Sequence, residues 1–194
     1  MPYILAQEAP RRALRRLIAA LRYGLPLEAV AINDLPFDLP VPPPEGYVQL
    51  GTQEDVQRIL MGAGCGVFVY PNSPSQLMSP RTGTSSEHAR LDQSEFKVVL
   101  LFRRLAGHEP VTQDGYELSP TEVIYQTADR LRGALMMALA KYAIDEDNIH
   151  DLVVLTHYAD YQPINNGDLS GRAVLEIKVT QDVLVPQPTY TPLP

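Results

Sequence analysis

The chain has 194 residues, 45% of them hydrophobic, with 18 prolines, one cysteine and no tryptophan; that suffices for a single domain with a real core. One cysteine excludes an internal disulfide, and no run approaches the roughly 20 apolar residues of a membrane-spanning helix. The net charge of −7 is uneven: residues 1–22 hold five arginines against Glu8, leaving 11 basic and 22 acidic residues in the rest.

So acidic a body is poorly suited to gripping nucleic acid, where affinity rests on neutralising phosphates. The basic N-terminal stretch could still do so locally, or form a solvated helix face. Arginines alternate there with apolar residues, so no signal peptide is expected. The lone cysteine suits a reducing compartment.

Residues 10–22, PRRALRRLIAALR, predict a helix. Pro10 fits its first turn, and Leu14, Leu17, Ile18 and Leu21 recur at i, i+3, i+4 and i+7. Arg11, Arg12, Arg15 and Arg16 take the other faces and are candidate interface residues. Gly24 suits a left-handed cap and Pro26 blocks continuation, which predicts an end near Gly24. The proline-rich stretch 35–46 predicts an extended connector. A short helix follows over 53–61, capped by Thr52 with Asp55 three residues on.

Residues 61–71, MGAGCGVFVYP, contain three alternate glycines. A dinucleotide fingerprint needs strand, then G-x-G-x-x-G, then a helix whose N–H groups face the phosphates. Here the order is helix, glycines, strand, and Val67 holds the sixth position. No Gly-Lys-Ser/Thr occurs either. The cluster predicts a helix cap and a turn into strand Val67–Tyr70.

Residues 71–94 are polar and lack a sustained period, which predicts a long excursion between strands, the kind that is often functional. Leu77, Met78, Arg81 and Arg90 are its candidate interface residues. Phe96–Arg103, apolar on both faces, predicts a central strand. Residues 104–118 predict a loop with turns at Gly107 and Asp114-Gly115. A helix over 120–142 follows, with a Ser119/Glu122 capping box, Pro120 at its first position and an apolar stripe from Ile124 to Tyr142. Met136 and Met137 broaden that stripe. Leu152–Tyr158 and Arg172–Thr180 predict two strands joined antiparallel through Asn165-Asn166-Gly167-Asp168. Ala173, Leu175, Ile177 and Val179 form the inward positions of the second. Four prolines in the last ten residues predict an extended arm.

Catalytic signals are weak. His88, His108, His150 and His157 stand singly, without a zinc-binding spacing. No G-x-S-x-G surrounds a serine, and Cys65 lacks a local base, so it reads as a small buried residue. Asp145-Glu146-Asp147 could bind a cation but looks solvated. No catalytic, cofactor-binding or metal-binding residue is expected. The fold expected is α+β: one domain over 1–180 with a mainly antiparallel sheet, the long helix across it, an N-terminal amphipathic helix, a long loop at 71–94 and a proline-rich arm at 181–194.

This order of elements resembles that of tail terminator and related neck proteins of long-tailed bacteriophages. The resemblance rests on RRALRRLIAALRYGLP, on FKVVLLFRR before LSPTEVIYQTADRLRGALMMAL, and on GRAVLEIKV, and covers most of residues 10–180. It implies a non-enzymatic virion subunit without cofactors, forming a homohexameric ring at the head–tail junction. Its implied partners are the tail tube protein and the head-side connector protein, with viral DNA passing the lumen without specific binding and no membrane contact. The implied location is the virion, and the host cytoplasm during assembly. Another neck, tail-completion or baseplate subunit is the alternative within that class, and a small cytosolic enzyme the alternative outside it.

Overall fold

Two strands of 16 residues form the spine of the computed structural model, which describes residues 4–5, 8–49, 51–73, 76–80, 89–104, 110–145, 149–164 and 168–184. They are β5 (Ala89–Arg104) and β9 (Leu169–Leu184), paired antiparallel from Ala89 opposite Leu184 to Arg104 opposite Leu169. Successive side chains of a strand alternate between faces. Phe96, Val98, Leu100 and Phe102 of β5 therefore share one buried face with Ala173, Leu175, Ile177 and Val179 of β9.

The other strands dock on this ribbon. β3 (Cys65–Pro71) runs antiparallel along β5, and β4 (Gln76–Pro80) continues the same edge beside the first part of β5. β2 (Tyr47–Gln49) adds parallel to β3. On the far side, β8 (Asp151–Pro163) lies antiparallel on β9, and β1 (Ile4–Leu5) pairs parallel with Val183 and Leu184. The result is a seven-stranded, mostly antiparallel sheet. β6 (Val111–Gln113) and β7 (Tyr116–Leu118) form a separate hairpin. Asp114 (φ 51°) and Gly115 (φ 82°) turn it, the left-handed pair that a two-residue hairpin of matching twist requires.

Helices α1 (Ala9–Ile32) and α3 (Pro120–Tyr142) cover the inner face. In α3 the Ser119 hydroxyl accepts from the Glu122 N–H while the Glu122 carboxylate accepts from the Ser119 N–H, as the capping box predicts. Ile124, Ala128, Leu131, Leu135 and Ala138 are fully buried. Met136 packs against the core, whereas Met137 is exposed.

Helix α1 differs from its expected length. It passes Gly24 and Pro26 and ends at Ile32. Proline inside a helix removes one hydrogen bond and costs about 3 kcal/mol, but Leu25 and Ala29 beyond it are buried. Glu28, also buried, accepts from Lys141 Nζ at 2.8 and 3.0 Å and from the Tyr142 hydroxyl at 3.2 Å. Tertiary burial overrides the local stop signal. Gly24 acts as a packing residue: a Cβ there would lie 2.2 Å from the Tyr142 ring. The helices run antiparallel, with Arg16 beside Ala143, Ile32 beside Gly133, and Asp34 beside Arg130.

Helix α2 (Gln53–Gly62), capped by Thr52 and Asp55, packs on the opposite face of the sheet. Gly66 admits its Ile59, since a Cβ at Gly66 would lie 2.5 Å from Ile59 Cγ2. Gly64 carries a φ of +73°. The glycine cluster is therefore the predicted corner, and also a close helix–strand contact. Residues 33–43 lack regular structure, in line with the connector expected over 35–46, but its last residues, Pro44–Gly46, form a 3-10 turn instead of extended chain.

The region 71–94 departs furthest from expectation. It is not a loop throughout: it contains β4 and the first six residues of β5. Inward positions there are polar, which hides the period. Asp92, Ser94 and Gln181 are all buried; Ser94 donates to Asp92 at 2.8 Å and Gln181 donates to it at 3.4 Å. β5 is central, as expected, but its side chains alternate between buried and half-buried. β9 extends to Leu184, past the expected boundary at 180. The proline-rich arm expected at 181–194 is corrected at its start, where 181–184 belong to β9; its remainder, 185–194, lies outside the described residues.

Phe102 sits directly opposite Gly171, and a Cβ on Gly171 would come within 2.1 Å of the Phe102 ring. Gly171→Ala should therefore destabilise the protein by about 1–3 kcal/mol through overpacking. That cost should shrink in a Phe102→Leu background. Denaturation midpoints of the four proteins in a double-mutant cycle measure the coupling.

Candidate assembly surfaces

The described residues give little support to a chemical site. No group of three or more His, Cys, Asp or Glu side chains is placed to hold a metal among them. His150 pairs with Asp182 at 3.1 Å, and His157 lies 3.3 Å from Arg132; His88 and His108 lie outside the described residues. Cys65 is buried, its Sγ 3.6 Å from the Pro40 carbonyl, and burial pushes its thiol up to about 12. It fits the small core residue expected.

A cleft of about 590 Å³ opens where the connector, the end of β5, the β6–β7 hairpin and the start of α3 meet. Two of its polar groups are already engaged. Arg103 pairs with Asp168, and the Thr127 hydroxyl donates to the Val123 carbonyl. This cleft is a seam between elements.

The predicted arginine face of α1 is largely as expected. Arg11, Arg12 and Arg15 are exposed. Arg16 is engaged within its own chain: it donates to the Tyr142 carbonyl at 2.8 Å and the Ala143 carbonyl at 3.1 Å, and pairs with Asp145. A guanidinium there satisfies orphan carbonyls at the end of α3 and meets the negative pole of its dipole.

The longer α1 carries a surface that sequence reasoning missed. Tyr23, Leu27 and Val30 are 66%, 49% and 80% exposed at i, i+4 and i+7. Ending the helix at Gly24 concealed this spacing. The signal lay in Leu25, Glu28 and Ala29, which continue the inward stripe of Leu14, Leu17, Ile18 and Leu21.

The other interface candidates fall where the description is partial. Leu77 and Met78 belong to β4, with Leu77 opposite Asp92, and Arg90 of β5 pairs with Val183. Their side chains, and Arg81 altogether, lie outside the described residues. Strand pairing through 76–80 and 89–94 corrects the reading of 71–94 as one long loop.

The clearest open surface is the edge of β8. Twelve of the thirteen residues of this strand pair with β9, and among the described residues no strand pairs with the other side. An edge of unpaired N–H and C=O groups is a template for another chain unless it is blocked. Val153 and Leu155 are more than 40% exposed, and Tyr158 and Tyr161 nearly as much. A register shift between Val154 and Thr156 sets Leu155 apart. Arg172 stands 5.5 Å from the Tyr158 ring centroid while pairing with Asp160, which orders the outer face beside the edge.

A further exposed group lies at the start of α3. Tyr116 at the hairpin turn is 77% exposed, beside exposed Asp114 and Glu117, and Glu122 and Tyr125 follow on the helix. Hydrogen bonds from Ser119 hold the Glu122 carboxyl below its ordinary value.

No protein-family model matches the chain, and neither does any curated protein sequence. Among the described residues no helix is long and apolar enough to cross a membrane.

The buried Cys65 thiol supplies a direct check. A folded-state value near 12, against about 9 when unfolded, keeps the thiol neutral at neutral pH. Ellman's reagent should leave it unmodified in the native protein and titrate one thiol after denaturation. The folded state also binds the extra proton between those values, so this group's contribution to stability is full below about pH 9 and falls as pH rises towards 12. Denaturation midpoints of the parent and Cys65→Ala across that range measure it.

Proposed function

We propose that this chain is a structural subunit of a long-tailed bacteriophage: a terminator-like protein that assembles into a homohexameric ring capping the tail tube. In this role it joins the tube protein to the head-side connector and has no catalytic task. Its place is the virion neck, reached from the host cytoplasm during assembly.

The single observation that carries the proposal is the open edge of β8, thirteen residues long with large apolar side chains exposed beside it. A protein that worked alone would gain from blocking such an edge, whereas a subunit gains from leaving it free. The ring, the tail and the partners come from the resemblance in element order. The acidic balance outside the first 22 residues suits a lumen through which DNA must pass without adhering, because like charge disfavours phosphate binding.

Electron micrographs of the purified protein test this directly, with closed rings as the expected image. In a phage carrying an inactivated copy, unjoined heads and tails should accumulate. Val153→Lys and Leu155→Lys together should leave the melting temperature nearly unchanged, as exposed substitutions shift stability by about 0.5 kcal/mol or less. The assembled fraction should nevertheless fall roughly tenfold or more, measured by sedimentation velocity, because edge lysines oppose strand addition.

A further inference from the structure

Two stretches at opposite ends of the α1–α3 pair carry opposite charge. Between Ala9 and Leu27 there are five arginines and no acidic residue, and between Pro110 and Asp129 there are acidic residues and no basic one. The antiparallel crossing of α1 and α3 separates these stretches. Arg16 lies at the end of α3, whereas the β6–β7 hairpin leads into its start at Ser119. The same hairpin borders Pro36 and Phe37, which follow the C-terminus of α1. From Arg15 to that C-terminus at Ile32 the helix alone spans about 25 Å at 1.5 Å per residue. The arginines of one subunit therefore cannot reach the acidic tip of the same subunit.

We propose that the outer face of α1 docks on the β6–β7 tip of a second copy of this chain, head to tail. Arg11, Arg12 and Arg15 meet Asp114, Glu117 and Glu122, and Tyr116 inserts among the guanidinium groups. Arginine forks pair with carboxylates in bidentate fashion and stack on tyrosine rings. Arginine and tyrosine are also the residue types that dominate interface energetics. Tyr23, Leu27 and Val30 prolong the α1 face towards its C-terminus and supply apolar area beside the charged part. Because the two surfaces differ, the contact is heterologous: it closes into a ring or propagates as a filament according to the rotation it imposes. This inference rests on the assembly proposed above and names the surfaces that meet.

Four proteins test it: the parent, Arg12→Glu/Arg15→Glu, Asp114→Lys/Glu117→Lys, and the combination of all four substitutions. All positions are exposed, and circular dichroism and melting curves establish that each variant is folded. Sedimentation velocity at low salt should show assembly by the parent, loss of roughly tenfold or more in each pair variant, and recovery in the combined variant, whose charges are complementary again. Assembly of the parent should weaken between about 50 and 500 mM salt as screening grows. The docking is overturned by a monomeric parent, by either folded pair variant assembling like the parent, or by a folded combined variant that stays dispersed. Loss of a DNA-dependent step alone in the arginine variant, with assembly intact, also overturns it. A parent that forms rings insensitive to these changes leaves the ring proposal standing without this contact. Filaments or dimers that follow the charge pattern retain the contact and remove the ring.

Discussion

Sixteen consecutive residue pairs between β5 and β9 fix the rest of the molecule. Side chains alternate with a period of two, so a slip of one residue would turn every buried hydrophobe of a strand to the opposite face. The register is pinned at one end by Phe102, whose ring covers Gly171 and leaves no room for another pairing. Each remaining strand of the seven-stranded sheet attaches to one of these two, directly or through β3. The strip that receives the helices is defined by Phe96 to Phe102 and Ala173 to Val179.

On that strip, α1 and α3 are held together by shape and by a charge taken out of water. Gly24 gives the Tyr142 ring its space, and four residues later Glu28 receives Lys141 and the Tyr142 hydroxyl. A buried carboxylate is costly unless paired and hydrogen-bonded; here both requirements are met by neighbours on α3. Arg16 secures the same end of α3 through its last carbonyls. Arg11, Arg12 and Arg15 are exposed on the other faces and make no such contact among the described residues.

The elements legible in the sequence are those in which local and tertiary preferences agree. The capping boxes at Thr52 and Ser119, the stripe from Ile124 to Tyr142, and the alternation from Arg172 to Thr180 all reappear in place. The glycine corner was legible because order along the chain, helix before glycine, excluded a phosphate loop. Misreadings occurred where packing overrode a local signal. Pro26 marks a stop, but Leu25, Glu28 and Ala29 bury against α3 and carry the helix onward. Asp92, Ser94 and Gln181 are polar at inward positions, so strand periodicity vanished where the strand continued. Of the surface, the exposed arginines were legible from charge. The open edge of β8 was not, because an edge is a property of the sheet and only pairing reveals which strand lacks a neighbour.

The polar trio also grades the sheet along its length. Asp92 Oδ1 and Gln181 Oε1 are buried without a partner among the described residues, and an unsatisfied buried atom costs about 1–3 kcal/mol relative to a satisfied one. Between Phe96 and Phe102 the spine is packed with hydrocarbon; towards Ala89 and Leu184 it carries this penalty. Local opening begins where stability is lowest, so the spine should loosen from that end while its middle stays closed. Amide protons of β5 before Ser94 then exchange ahead of those after Phe96. The same end adjoins β1 and the start of α1, so the arginine face stands on the more yielding half of the domain and the β6–β7 tip on the firmer one.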